Sequence, residues 1–372
     1  MFLNHRKVIP VFIAALTAVF SIGLSGQGYV LTYYNSKSGI GHDNVRTIVA
    51  DSSGFIWMAT WDGLTRYDGT DFVNYFHDPA DSTSLPYFSV SHIAVDSKDN
   101  LWVSTDNGIL SVFNRATEEF RTVRSLGGVL LDDLVNFSQG PDGYLWLLLR
   151  KGILRYQPGI KESVFHPWRT GGLKPAEMPH YSYRIEFDRN GDLWLVGRDI
   201  IKAETGSDNA NREHFTEVKG IYPLERLPGR SGTFFSEAGI ARIVNDSNNN
   251  IWLASLTGLF KLDRESETFK EYGGNFQEIS FECTKPLVFY NHESGLHVCQ
   301  PGKSAVITLP GNICALPTAY FFHDSGMLWV SRSQEGGTPA GVVKVIFTPS
   351  EFRHINPLPL SSSELNVFGL IR

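Results

Sequence analysis

Cysteine is scarce in this chain: Cys283, Cys299 and Cys314 are the only three among 372 residues. Three thiols cannot build a disulfide framework, nor supply four zinc ligands by themselves. In an exported chain Cys283 could pair with Cys299 or Cys314, leaving one odd thiol; three buried thiols are the plainer expectation. Charge is also sparse, at 19% of residues, and the basic excess of a nucleic-acid binder is missing, with 33 Lys and Arg against 39 Asp and Glu. No stretch carries a long helical period, which excludes a coiled coil. Beyond residue 26 no apolar run is long enough to cross a bilayer; Leu145–Leu149 has only the length of a buried strand. Aromatic residues are plentiful at 13%, with 35 Gly, so the chain can bury a core and is not disordered.

The first 26 residues read as a secretory signal peptide. His5-Arg6-Lys7 precedes an apolar run from Val8 to Leu24, and Gly23 and Ser25 provide small residues for cleavage near residues 25–26. An uncleaved membrane anchor is the alternative reading.

A repeat organises the remainder of the chain. Tryptophans recur at 57, 102, 146, 194, 252 and 329, each three residues past a Gly, Asn or Asp that follows a turn. Examples are Asp51-Ser-Ser-Gly54-Phe-Ile-Trp57 and Asp188-Arg-Asn-Gly191-Asp-Leu-Trp194. A short strand and usually a Gly-hydrophobic pair come next (Gly63-Leu64, Gly108-Ile109, Gly152-Ile153), then an aromatic or apolar position: Tyr67, Phe113, Tyr156, Leu262. The last tryptophan gap, 77 residues, holds one more unit, in which His297 stands 45 residues after Trp252. Within each unit the Asp caps turn amides, the Gly or Asn takes the positive φ of a hairpin, and Val45–Ala50 alternates as a strand does. Four short strands per unit of 40–50 residues, without helices, predict an all-β, seven-bladed β-propeller over residues 27–350. A solenoid or a Greek-key sandwich is the minor alternative. Tyr29–Asn35 precedes the first unit and is expected to pair with Gly341–Phe347, closing the ring and removing its free edges. Residues 351–372 align without gaps on 29–50 (Asn366 with Asn44, Val367 with Val45), so a truncated second propeller is expected to begin near 351.

The stretch Phe55-Ile-Trp-Met-Ala-Thr-Trp-Asp-Gly-Leu-Thr-Arg-Tyr-Asp-Gly69 resembles the first repeat of the two-component regulator propeller family, as does Tyr75–Leu85 after it. The third unit departs from the pattern with Gly140 in place of Asp, the fourth lacks the Gly-Leu pair, and the sixth lacks the Trp. The resemblance implies the periplasmic sensor of a hybrid two-component histidine kinase, anchored in the inner membrane, with an oligosaccharide as ligand. It implies a following propeller and sandwich domain as partners, allows pairing of two copies, and places kinase activity in a missing C-terminal part.

Chemical motifs are few. His292-Glu293…His297 spaces its histidines five apart, where a zinc-protease helix needs four. Gly302-Lys303-Ser304 lacks the upstream Gly of a phosphate loop. Asp188, Asn190 and Asp192, and likewise Asp246, Asn248 and Asn250, have calcium-loop spacing but fall in hairpin turns and lack the Glu at the twelfth position. No metal, cofactor or catalytic residue is therefore expected. The six repeat tryptophans are expected in the core. Trp61, in the turn before Gly63, and Trp168, in a long insertion, fall outside that position. Exposed aromatic faces flanked by charge suit sugars, so Trp61, Asp62, Trp168 and Arg169 are the candidate ligand contacts. A propeller lyase or hydrolase with His, Tyr and Glu clustered at the central channel, and a protein-binding scaffold with an apolar rim, are the rival readings.

Overall fold

The computed structural model describes residues 29–160, 162–167, 183–188, 190–197, 200–207, 213–222, 224–225, 242–246, 248–255, 258–274, 287–291, 295–299, 306–309, 317, 319–323, 326–332 and 340–347. The predicted signal peptide and the predicted start of a second propeller lie outside them, as do Trp168, Arg169, Cys283 and Cys314.

The described residues are β-structure apart from one 3-10 turn at Ser36–Ser38. Strand β1 (Tyr29–Tyr34) leads into the first blade, β2 (Val45–Ala50), β3 (Ile56–Thr60), β4 (Leu64–Tyr67) and β5 (Phe72–Tyr75). The second blade is β6 (Val90–Val95), β7 (Leu101–Thr105), β8 (Leu110–Asn114) and β9 (Glu119–Val123), followed by a small hairpin, β10 (Ser125–Leu126) and β11 (Val129–Leu130). The third is β12 (Leu134–Gln139), β13 (Leu145–Leu149), β14 (Gly152–Gln157) and β15 (Glu162–Pro167). The fourth is β16 (Tyr183–Phe187), β17 (Leu193–Gly197), β18 (Ile200–Ser207) and β19 (Glu213–Tyr222). A short β20 (Leu224–Glu225) adds a parallel fifth strand to the fifth blade, β21 (Arg242–Asn245), β22 (Ile251–Ser255), β23 (Gly258–Asp263) and β24 (Thr268–Glu271). The sixth blade shows three strands among the described residues, β25 (Leu287–Asn291), β26 (Gly295–Cys299) and β27 (Val306–Leu309). In the seventh, β28 (Tyr320–His323), β29 (Met327–Arg332) and β30 (Gly341–Phe347) take β1 as their fourth strand. The chain is thus a seven-bladed propeller of four-stranded sheets. The predicted closure is present, with Tyr29 opposite Phe347 and Tyr34 opposite Val342, while Asn35 leaves the strand to cap the 3-10 turn.

The first five blades are each held by a device that exploits the turn. Asp51 accepts hydrogen bonds at Oδ1 from the amides of Ser53 and Phe55, and at Oδ2 from the indole N–H of Trp57 at 2.7 Å. Asp96, Asp188 and Asp246 do the same for Trp102, Trp194 and Trp252, at 2.7, 3.1 and 2.9 Å. One carboxylate therefore shapes the turn and satisfies the only polar atom of a buried indole. In the third blade Asp142 takes the place of the missing Asp, accepting from the Tyr144 amide and the Trp146 indole, both at 3.1 Å. The residue three before each Trp has positive φ, for instance Gly54 at 86° and, in the second blade, Asp99 at 63°.

All six indoles are buried, and most pack against an aromatic residue of the next blade. Trp329 meets Tyr67, Trp57 meets Phe113 and Trp102 meets Tyr156, each edge-on with centroids 5.1–6.3 Å apart. Cross-strand from the indole sits a basic side chain in five blades: Arg66, Arg155, Lys202, Lys261 and Lys344 lie 5.4–5.8 Å from their ring centroids. The second blade has Val112 there instead. In the sixth blade His297 fills the indole's place, stacked on Phe289 and within 3.0 Å of Thr308 through Nδ1; burial pushes its pKa down to about 4.

Candidate functional site

The loop from Trp61 to Gly63 joins β3 to β4 on the face where the first strand of each blade begins. Gly63 there has φ of 83° and donates its amide to Phe88 O at 2.6 Å, tying the first blade's loop to the segment before the second. Trp61 is 42% exposed, and Phe76 and Phe88 are exposed as well. His42 stacks near the indole at 6.1 Å between centroids, and the Arg46 guanidinium lies 5.3 Å from it. Arg46 is the bulged residue of β2 and reaches across to Asp106, the second-blade counterpart of Trp61, in a 2.5 Å ion pair. Ser89 donates to the other oxygen of Asp106 at 2.7 Å. Asp62 is exposed next to Trp61, and its amide donates to Thr60 Oγ1. An amphipathic ring beside a fixed ion pair is a surface on which a sugar can stack and hydrogen-bond.

A second polar constellation lies on the innermost strands, where β2 touches β6 and β28, and β12 touches β6 and β16. Cross-strand register places Thr47, His92, Asn136, Arg184 and Arg242 at one height, each opposite the residue two past a repeat tryptophan. Thr47 Oγ1 and His92 Nδ1 are 3.1 Å apart, and His92 meets the Phe137 ring edge-on. Burial, and then the charge of Arg184, push the pKa of His92 down to about 3. Arg242 lies 5.7 Å from the ring of Tyr320 on β28. Burial raises the pKa of Tyr320. Tyr320, and then Glu186 against the effect of burial, hold that of Arg242 above its usual value. Burial and the neighbouring charge of Arg242 draw that of Arg184 down.

Of the four predicted ligand contacts, Trp61 and Asp62 are therefore adjacent on the exposed rim, while Trp168 and Arg169 lie outside the described residues. The calcium-like spacings belong to carboxylates already occupied by turn amides and indoles. Cys299 is buried. Sequence reasoning did not find the channel residues: a lone Arg or His in an alternating strand looks like any outward-facing polar residue. The signal that could have found them is their common offset from the repeat tryptophan.

The fold is a β-propeller, and residues 39–62, in its first blade, match the two component regulator propeller model. A 79-residue stretch is 34% identical to histidine kinase P4 of Formosa agariphila, covering 21% of this chain and 6% of that protein. Among solved structures, the chain is similar to the extracellular domain assigned to the hybrid two component system BT3049 of B. thetaiotaomicron. The TM-score is 0.56 at 17% identity, over 85% of this chain and 42% of that one. It is also similar in fold to virginiamycin B lyase from Staphylococcus aureus, with a TM-score of 0.51 at 12% identity over 86% of this chain and 99% of that one. The chain thus spans less than half of the two-component extracellular domain and a small fraction of the histidine kinase it matches. Among the described residues no helix is long and apolar enough to cross a membrane.

Proposed function

We propose that the chain is a ligand-binding propeller of a two-component signal-transduction receptor, exported to the periplasm and responding to an oligosaccharide. The observation that carries this reading is Trp61. Its indole, at the end of the matched repeat, is held outward between His42 and the Arg46–Asp106 pair, although every repeat tryptophan is buried. An indole kept in water by a structured loop suits a ligand better than it suits stability. In this reading a following propeller and sandwich domain, and pairing of two copies, pass the signal to a kinase elsewhere in the parent protein. Calorimetry against an oligosaccharide panel tests it: the wild-type chain binds a saccharide, and Trp61→Ala weakens it about tenfold or more, as loss of a stacking aromatic anchor does. Absence of heat with every saccharide refutes the reading.

A lyase or hydrolase is the second reading, because His92 lies near Arg184, and Tyr320 near Glu186, on the innermost strands. A general acid or base works best with a pKa near the working pH. His92, pushed to about 3, and Tyr320, raised by burial, both stand away from it, which favours binding over acid-base chemistry.

A further inference from the structure

The ring of innermost-strand positions opposite the residue two past the repeat tryptophan does not need charge to pack. The sixth blade fills it with Leu287, opposite Cys299, and the first and third with Thr47 and Asn136. Blades four and five instead place Arg184 and Arg242 there, both only partly buried on strands whose neighbouring residues Ile185 and Ile243 are buried. Nε of Arg242 is a buried donor that makes no hydrogen bond among the described residues, and the Tyr320 hydroxyl is a direct neighbour of the Arg242 guanidinium. Tyr320 is 5% exposed, and its ring and the Arg242 guanidinium face each other although blade six separates their strands. Glu186, one alternate position along β16, supplies a single carboxylate against two guanidinium groups. Two like charges and an unpaired donor in a partly dry channel are unfavourable unless a ligand brings acceptors.

We propose that the channel lined by Arg184, Arg242 and Tyr320 binds an oxyanion, the carboxylate or sulfate of an acidic saccharide. Guanidinium groups offer donors only, in a fork that matches planar oxyanions, and the tyrosine hydroxyl adds a further donor. A neutral hydroxyl would satisfy one donor and leave the charge unrelieved. His92, neutral and engaged with Thr47, adds no competing charge. The inference rests on the saccharide-binding reading and names the class of sugar.

The test is calorimetry on the whole chain with three tetrasaccharides: a polygalacturonate, a sulfated galactan and a neutral galactan. The acidic probes bind, weaken as NaCl rises from 50 to 500 mM, and lose tenfold or more in affinity with Arg242→Gln and severalfold with Tyr320→Phe. The polygalacturonate and sulfated arms identify which oxyanion the channel prefers. Neutral galactan binding as tightly as the acidic probes, unchanged in Arg242→Gln, overturns the oxyanion site and leaves the saccharide reading standing. No heat from any of the three probes overturns the oxyanion site, while the saccharide reading falls only with silence across the whole panel. If Arg242→Gln lacks a cooperative melt, Arg242→Lys and Tyr320→Phe take its place, and unchanged affinity for acidic probes in both overturns the proposal.

Discussion

Replacing Asp246 by Ala tests the logic of the repeat at a single side chain. Its carboxylate accepts from the amides of Asn248 and Asn250 at 2.9 Å, from Asn250 Nδ2 at 2.7 Å and from the Trp252 indole at 2.9 Å. In Asp246→Ala water can replace the carboxylate at the turn amides. It cannot easily reach the indole N–H, since Trp252 is buried. A stranded buried donor costs about 1–3 kcal/mol, and bonds to a charged acceptor are worth about 1.5–3 kcal/mol. We expect a loss of about 3 kcal/mol, read in urea unfolding by tryptophan fluorescence, and a fall in Tm of roughly 6–12 °C by the scaling for large domains. Trp252→Phe removes the donor and keeps the ring, so the double variant should lose about 1–2 kcal/mol less than the two single losses combined. Asp68 provides a control, because it caps the amides of Thr70 and Asp71 without touching an indole, and Asp68→Ala should destabilise much less. Burial raises the Asp246 carboxyl, but the bonds from Asn250, Trp252 and the turn amides outweigh it and leave its pKa below the usual value. Its stabilisation is then present above the ordinary carboxylate range near pH 4 and lost as pH falls through the lower folded value. Asp246→Asn should flatten that acid limb. Strict additivity of Asp246→Ala and Trp252→Phe, or a loss within about 0.5 kcal/mol of zero, as at a surface site, would refute the reasoning.

Other blades give further expected outcomes. His297 is buried with its pKa down at about 4, against an ordinary value near 6.5, so the unfolded chain binds the extra proton between those limits. His297 should lower stability by up to ~1.4 kcal/mol per pH unit as pH drops from 6.5 towards 5.5, and His297→Phe should lessen the slope by that amount in denaturation curves taken across the window. His92, at about 3, adds a second proton of the same sign that persists in His297→Phe. Asp142→Ala should cost about 1–3 kcal/mol by thermal melting, since the Trp146 indole and the Arg155 guanidinium both lose the carboxylate they bond. Gly140→Ala should also destabilise, by about 1–3 kcal/mol, because the added carbon would overlap the Trp146 indole and the Asp142 carboxylate.

The repeat, the strand-rich units and the closing strand were legible in the sequence, because a propeller repeats one physical solution and each copy reinforces the reading. Even the third-strand positions Tyr67, Phe113 and Tyr156 were visible as a regularity; the structure shows that they receive the indole of the preceding blade. The Asp-to-indole bond was present as a constant spacing of six residues in four units, but a turn explains an Asp before Gly without help from Trp. Trp329 shows what that spacing decides: Asp324 lies only five residues before it, His323 takes the sixth position, and the Trp329 indole N–H has no hydrogen-bond partner among the described residues. The basic residues opposite the indoles went unnoticed because Lys and Arg on a strand look like ordinary solvent-facing residues until the register is known. The channel was illegible for a related reason. Tyr320, Arg184 and Arg242 come from three blades, far apart in the chain, and only ring closure brings them near one axis.

The seam between β1 and β30 has a mechanical consequence. Tyr29 and Phe347, the outer ends of the two strands, face each other, while Tyr34 and Val342 lie at the far end of the ladder. Tension applied between the chain entering at Tyr29 and the chain leaving at Phe347 therefore peels the pair open one rung at a time instead of shearing all rungs at once. Sequential rupture needs little force, and the last rung to part lies next to Tyr34, whose ring stacks on Trp329 at 5.6 Å. Under load the circle should yield first at this seam, with the Tyr34–Trp329 stack as its latch.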